Sequence, residues 1–196
     1  MNKAGYNMNF YEQNYKQYIE STFNCNMQEQ YDFFLKHMPK EGKILDIGFG
    51  SGRDMIYFKS LGYEVEGIDC TQAFVEHMKS KGYKVFNQKV EDLNTINTYD
   101  GIWASASLLH VSRSNLNDVL KRCSNALKEN GIMYCSFKKG DYEGIIDSRF
   151  FNYINEELLK EYLKDTNLEI IEDIITRDSL SNRDIKWLNV ILRKVM

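Results

Sequence analysis

Several features that would place this chain outside the cytoplasm or tie it to a metal are missing. No apolar run approaches the roughly 18 residues needed to cross a bilayer. The opening Met1-Asn2-Lys3-Ala4-Gly5-Tyr6-Asn7 has no apolar segment of the kind that directs secretion. A cytoplasmic protein with no membrane partner is the expectation. Cys25, Cys70, Cys123 and Cys135 are too widely spaced for a CxxC or Cys/His zinc pattern, so no metal is expected and the thiols read as reduced. A basic excess is also lacking. With 25 Lys and Arg against 28 Asp and Glu, the net charge is −3, which disfavours a dedicated nucleic-acid or anionic-membrane binder. Proline occurs once, at Pro39, where Pro39-Lys40-Glu41-Gly42 ends a helical pattern. No repeat, low-complexity tract or Gly/Ser linker divides the 196 residues, so they read as a single domain.

What the sequence does contain is core-forming material, 43% hydrophobic and 13% aromatic. Residues 10–38 are helical in pattern, with Tyr31, Phe34, Leu35 and Met38 on one apolar stripe. After the Pro39 break, short apolar strands predicted at 43–47, 63–68, 83–86, 100–104 and 132–137 alternate with helices of about ten residues. One of those helices carries Leu116, Val119, Leu120, Cys123 and Leu127 and is predicted to end at Gly131, after Asn130. A helix at 156–164 precedes two final strands, 168–176 and 185–195, joined by the polar loop 177–183. Such alternation predicts right-handed βαβ units in an α/β fold: a Rossmann-like, seven-stranded, mostly parallel sheet with helices on both faces. The last two strands have no helix between them and are expected to form an antiparallel C-terminal β-hairpin at an edge. Residues 1–40 then read as a helical lid and residues 41–196 as the catalytic core.

The chemistry gathers at the carboxyl ends of the strands, where open α/β sheets bind ligands. Ile44-Leu45-Asp46-Ile47-Gly48-Phe49-Gly50-Ser51-Gly52-Arg53 joins the first strand to the first helix, and its glycines allow a sharp turn and close approach of a ligand. The spacing is Gly-x-Gly-x-Gly, and the dinucleotide fingerprint would require glycine where Arg53 stands. Asp46, two residues before the first glycine, would repel a pyrophosphate and attract a cationic amine. The loop therefore suits a ligand with an amino group and no phosphate. Asp69, 19 residues after Gly50, can accept hydrogen bonds from both hydroxyls of a ribose. The acid pair Glu91-Asp92 stands where an adenine amino group could be read, and Ala104-Ser105 closes the fourth strand in small residues that leave room for a cofactor.

These motifs resemble the class I S-adenosylmethionine-dependent methyltransferases over residues 40–140. Tyr11…Ile44-Leu45-Asp46, Ser107-Leu108-Leu109-His110-Val111, Ser136-Phe137-Lys138 and Trp187-Leu188-Asn189-Val190 are similar to a group of small bacterial enzymes labelled tellurite-resistance-like or small-molecule methyltransferases. The resemblance implies S-adenosyl-L-methionine as cofactor. It implies that Asp46, Gly48 and Gly50 hold the methionine moiety, with Arg53 and Tyr11 near its carboxylate. Asp69 would hold the ribose, and Glu91 or Asp92 with Cys70 would surround the adenine. Phe49 departs from the small or cysteine residue that relatives carry at its position.

His110 is the only histidine at a strand's carboxyl end. It can serve as a base toward an oxygen, nitrogen or thiol nucleophile, or orient the loop. The N-terminal aromatics Tyr6, Phe10, Tyr11, Tyr15 and Tyr18 either close over the site or pack on the sheet. Lys138, Lys139, Arg149, Arg177 and Arg183 flank the fifth strand and the terminal loop, and if several converge the substrate is anionic. Trp187 can wall the acceptor pocket or fill the core. Methyltransferases of exocyclic amines resemble one another in an Asn/Asp-Pro-Pro-aromatic motif after strand four. Ser105-Ala106-Ser107-Leu108 occupies that place, which rules out that subclass. The expected function is methyl transfer to a small-molecule nucleophile. An RNA methyltransferase and a catalytically silent S-adenosylmethionine-binding module stand as alternatives.

Overall fold

The computed structural model describes the backbone of residues 3–178 and 184–196, and side chains within that range from residue 7 onward. Two helices lead, α1 (Lys3–Thr22, kinked at Asn14) and α2 (Gln28–Leu35). Then come β1 (Lys43–Ile47), α3 (Arg53–Ser60), β2 (Glu64–Asp69), α4 (Gln72–Ser80), β3 (Lys84–Asn87), β4 (Tyr99–Ala104), α5 (Arg113–Ala126) and β5 (Leu127–Lys138). The short strands β6 (Glu143–Ile146) and β7 (Arg149–Asn152) follow, then α6 (Glu156–Leu163), β8 (Leu168–Arg177) and β9 (Lys186–Lys194).

Seven strands form one sheet in the order β3-β2-β1-β4-β5-β9-β8, and β6 and β7 form a separate antiparallel ribbon. Strands β1 to β5 run parallel, and β9 pairs antiparallel with both β5 and β8, as the hairpin reading required. The chain leaves β1 toward β2 and β3 and returns to β4 on the other flank of β1. That reversal opens a crevice at the carboxyl ends of β1 and β4.

Three expectations are corrected. The N-terminal helical stretch is two helices separated at residues 23–27. Leu127 belongs to β5, opposite Tyr99, and not to the preceding helix. The left-handed residue there is Asn130 (φ +59°), so Gly131 is no helix cap. The β6–β7 ribbon was not foreseen, because four-residue strands are too short to show a period.

Alternation along the strands divides the core into two layers. Leu45, Ile47, Ile102 and Ala104 pack on one face of the sheet with α5 and α6, while Ile44 and Trp103 pack on the other with α2 and α3. In that second layer Trp103 stacks on Tyr134 at a centroid distance of 4.0 Å, and Phe58 meets it edge-on at 5.1 Å. One buried carboxylate ties the layer together. Asp54 accepts from Tyr31 Oη (2.5 Å), Trp103 Nε1 (2.8 Å) and Arg53 Nε (2.6 Å), joining α2, β4 and α3. Removing one partner of a buried, hydrogen-bonded ion pair costs about 3–5 kcal/mol. Asp54→Ala is therefore expected to destabilise the fold by about 3 kcal/mol or more, read as a lower urea midpoint with unchanged slope.

Helix α1 lies across the carboxyl ends of the strands and is fastened at separated points. The Asn7 carboxamide accepts from Phe150 N (2.7 Å) and donates to Phe150 O (3.2 Å), pairing with β7 as another strand would. The Glu12 carboxylate accepts from the backbone N–H groups of Gln72 and Ala73 in the first turn of α4, a position where helix dipoles favour negative charge.

Candidate functional site

The glycine loop after β1 sets the floor of the site. Gly48 has φ +70°, and a Cβ there would stand 2.6 Å from Cβ of Ser107, so the closeness of the loop to the β4 exit depends on glycine. Gly50 N–H donates to Asp69 Oδ2 (3.1 Å), and Thr71 N–H donates to Asp69 Oδ1 (2.8 Å). Asp69 is the last residue of β2, and these two bonds hold its carboxylate between the β1 and β2 exits. A carboxylate offers about four lone-pair sites, so two remain for a ligand. Burial pushes the Asp69 carboxyl up, and the two backbone donors oppose that push.

Two cavities meet over this floor. The first is lined by Gly48, Gly50, Asp69, Cys70 and Glu91. The second is lined by Arg53, Ser105, Lys138, Arg149, Phe151 and Trp187, among others. Tyr11, Tyr18, Gly48, Ala106 and His110 line both and mark the junction. Three expected residues line neither cavity. Asp92 points to solvent from a short turn, Ala104 is sealed in the core, and Asp46 is buried on β1. Asp46 nevertheless has an unusual surrounding: its Oδ2 is buried without a hydrogen-bond partner. Burial, and after it the nearby Asp54 charge, hold its carboxyl well above the usual range, with Arg53 opposing. Arg53 itself is gripped by Asp54 through Nε and Nη2 and donates to Thr22 O (2.9 Å), so most of its donors are spent. Burial raises the Cys70 thiol to about 11, so it stays protonated and is no nucleophile.

At the junction, the proton positions on His110 follow from its partners. Nδ1 lies 2.7 Å from the Phe150 carbonyl, which can only accept, so Nδ1 carries the hydrogen. Nε2 is then the acceptor, and Tyr11 Oη donates to it at 3.0 Å. Burial depresses His110 to about 4; the Phe150 bond opposes this, and Arg149 and Lys138 lower it further. His110 is thus a neutral imidazole with one fixed tautomer. His37, by contrast, pairs with Glu172 (2.8 Å), and His77 is on α4, outside both cavities. Of the basic residues, Lys138, Arg149 and Arg177 line the second cavity, while Lys139 pairs with Glu156 and Arg183 falls outside the described residues. The side chain of Tyr6 is likewise outside the described side chains.

Sequence reasoning missed Asn7, Thr71, Ser107 and Phe151. The last two have partial signals, since Ser107 and its neighbours stand in a polar-small run after β4, and Phe151 follows Arg149 by two. Asn7 carries none, because its partner is 143 residues away.

The family described as Methyltransferase domain matches residues 44–131, the stretch from the glycine loop through α5. The phosphoethanolamine N-methyltransferase of Plasmodium falciparum is 27% identical over 155 residues, covering 73% of this chain and 55% of that one. The "Probable S-adenosyl-L-methionine-dependent methyltransferase TehB" of Haemophilus influenzae is 26% identical over 165 residues, covering 78% and 57%. The chain thus spans little more than half the length of these curated relatives. Among solved structures, the Burkholderia thailandensis 1,6-didemethyltoxoflavin-N1-methyltransferase, bound to its substrate and S-adenosylhomocysteine, superposes with TM-score 0.79. It shares 18% identity, over 96% of this chain and 87% of that one. The stretch 44–131 is thus similar to a methyltransferase domain, and the fold is one shared with S-adenosylmethionine-dependent methyltransferases.

The stranded Asp46 carboxylate has a consequence for stability. Below the ordinary carboxylate pKa, native and unfolded chains both hold the proton. As pH rises above that, the unfolded chain releases it first, so stability falls progressively until the pH passes the elevated native pKa. Asp46→Asn is expected to raise the melting temperature of the ligand-free protein at pH 7 by ~2–4 °C for ~1 kcal/mol of relieved burial. The gain should vanish near pH 3, as differential scanning calorimetry would show.

Proposed function

We propose that this protein transfers a methyl group from S-adenosyl-L-methionine to a small, negatively charged nucleophile. The observation that carries the reading is the pair of cavities joined at Tyr11 and His110, one rimmed by acids and the other by cations. The cofactor supplies a methyl group activated by a sulfonium: the acceptor's lone pair bonds to the methyl carbon as the carbon–sulfur bond breaks and leaves its pair on sulfur.

The chain's own groups fit that cofactor. Asp46 Oδ2 is a buried, unpartnered carboxylate oxygen among Asp54 and Asp69, and an α-ammonium group is the counter-charge it lacks. Gly48 and Gly50 leave their backbone open to the methionine chain. The spare lone pairs of Asp69 would receive the ribose hydroxyls, and Glu91 and Cys70 border the adenine end. Arg53, with two N–H groups uncommitted, and Tyr11 remain candidates for the carboxylate end. Helix α1 covers the junction with Tyr11 and Tyr18 and excludes water, which favours a reaction that disperses charge.

On the acceptor side, Ser105 and Trp187 form wall, and Lys138 and Arg149 supply positive charge. His110 is the proton acceptor: a proton leaving a hydroxyl or thiol nucleophile passes to Tyr11 Oη as the Tyr11 proton moves to His110 Nε2. The small molecules in the relatives' names, phosphoethanolamine and 1,6-didemethyltoxoflavin, support a metabolite-sized acceptor.

Incubating the protein with S-adenosyl-L-methionine and a small-metabolite extract is expected to yield S-adenosylhomocysteine. A protein that binds the cofactor yet gives no product with any extract or with RNA would be a silent binding module. Asp69→Lys should weaken S-adenosylhomocysteine binding by at least a hundredfold in calorimetric titration, and normal binding by that variant would refute the ribose assignment. Because His110 titrates near 4, kcat/KM is expected to show no acid limb attributable to histidine near pH 6.5.

A further inference from the structure

Asn7 and Tyr11 stand one turn apart on α1, ahead of the kink at Asn14, so both side chains leave the same face of the helix. Tyr11 Oη donates to His110 Nε2 (3.0 Å), and His110 Nδ1 donates to the Phe150 carbonyl (2.7 Å). That same carbonyl accepts from Asn7 Nδ2 (3.2 Å), while Asn7 Oδ1 accepts from Phe150 N (2.7 Å). The bonds close a ring that runs from Tyr11 through the imidazole to the Phe150 carbonyl and returns to α1 through Asn7. Asn7 is buried, at 6% exposure, so its carboxamide bonds are largely shielded from water.

A neutral imidazole can carry its hydrogen on either nitrogen, and the partner of each nitrogen decides which. Tyr11 alone cannot decide, because a hydroxyl can donate to Nε2 or accept from it. The Phe150 carbonyl can only accept, so it fixes the hydrogen on Nδ1 and leaves the Nε2 lone pair facing Tyr11. That control depends on where the carbonyl points, since a hydrogen bond weakens steeply as alignment is lost. Phe150 belongs to β7, one of two four-residue strands in a ribbon apart from the main sheet. A two-stranded ribbon is marginally stable by itself. Asn7 holds the Phe150 N–H and C=O together, and so fixes both the place and the direction of the carbonyl.

We propose that Asn7 is a positioning residue for His110: it holds the Phe150 carbonyl in line with Nδ1 and thereby keeps the imidazole in the tautomer that offers Nε2 as a proton acceptor. This rests on the reading of His110 as the proton acceptor in methyl transfer. In that step the nucleophile's proton passes to Tyr11 Oη and the Tyr11 proton to Nε2, while the hydrogen on Nδ1 stays where it is. The ring becomes imidazolium, and its bond to the Phe150 carbonyl strengthens as a charge-assisted one. Asn7 acts on this step through the Phe150 backbone.

The test is the tautomer of His110 in the full chain at pH 7, read by nitrogen-15 NMR of protein carrying labelled histidine. His37 and His77 are the other histidines, and the signal missing from His110→Gln assigns the third. The parent is expected to show hydrogen on Nδ1 and none on Nε2. Asn7→Ala removes both bonds to Phe150. Asn7→Asp keeps the acceptor and replaces the donor with an oxygen that repels the carbonyl, so it carries the test if Asn7→Ala does not fold. Each variant is expected to lose the single Nδ1–H signature in favour of a mixture of tautomers, with the His37 and His77 signals unmoved as proof of an intact fold. A merely structural Asn7 predicts a lower melting temperature with the tautomer unchanged. That result overturns the proposal, as does a parent whose His110 carries its hydrogen on Nε2. At saturating S-adenosyl-L-methionine with the metabolite extract, Asn7→Ala should also slow S-adenosylhomocysteine formation by about tenfold or more. A lost tautomer with an unchanged rate refutes His110 as proton acceptor and leaves the positioning standing. A parent that forms no S-adenosylhomocysteine refutes methyl transfer alone, because the tautomer is read without turnover.

Discussion

The site is organised around three carboxylates buried at the carboxyl ends of β1, α3's first turn and β2, and the three are satisfied to different degrees. Asp54 receives donors from a tyrosine, a tryptophan and an arginine and is a structural joint. Asp69 receives two backbone N–H groups and keeps lone pairs to spare. Asp46 keeps an oxygen with no partner. A buried anion without a donor is costly, so a fold that retains one stores an unmet demand for positive charge at that point. The glycine loop, which cannot carry side chains without striking Ser107 or Tyr18, leaves open the space through which a cation reaches that demand. Stability and binding are opposed at Asp46: the charge that weakens the empty protein is the charge that would hold the ligand.

The acceptor side inverts this pattern. There Lys138, Arg149 and Arg177 line the cavity, while the protein as a whole is acidic at −3. His110 lies between the two charge regimes. Its tautomer is set by the Phe150 carbonyl and its lone pair is claimed by Tyr11, so its protonation state is held by neighbours on β7 and α1 together.

Much of this was legible from local spacing. The βαβ alternation, the Gly48–Gly50–Gly52 turn, Asp69 at the β2 exit and the closing hairpin all arise from residues close in sequence, where periodicity and turn chemistry act directly. The domain family matched at residues 44–131 covers all of these but the hairpin. What was not legible depends on distant pairings. Ala104 and Ser105 are adjacent, yet strand alternation turns one into the core and the other to the cavity. Asp92 and Glu91 are parted in the same way by a short turn. Leu127 has helical spacing, but pairing with Tyr99 and the left-handed Asn130 claim it for a strand. Phe151 acquires its place only because the β6–β7 ribbon packs against the turn after β4, and its spacing from Arg149 does not announce that ribbon.

Helix α1 is where these long-range contacts converge. Asn7 completes a hydrogen-bonded pair with β7, Glu12 caps α4, and Tyr11 completes His110. Each is a modest bond, worth about 1 kcal/mol net, and the helix also rests on the core through Tyr11, Tyr15, Tyr18 and Ile19. Its fastenings are also unlike in kind. The Asn7 carboxamide bonds the Phe150 backbone at the edge of the first cavity, whereas Tyr11 reaches the one imidazole shared by both cavities. Tyr11 and Tyr18 line both cavities, so α1 meets the contents of each through the same two rings.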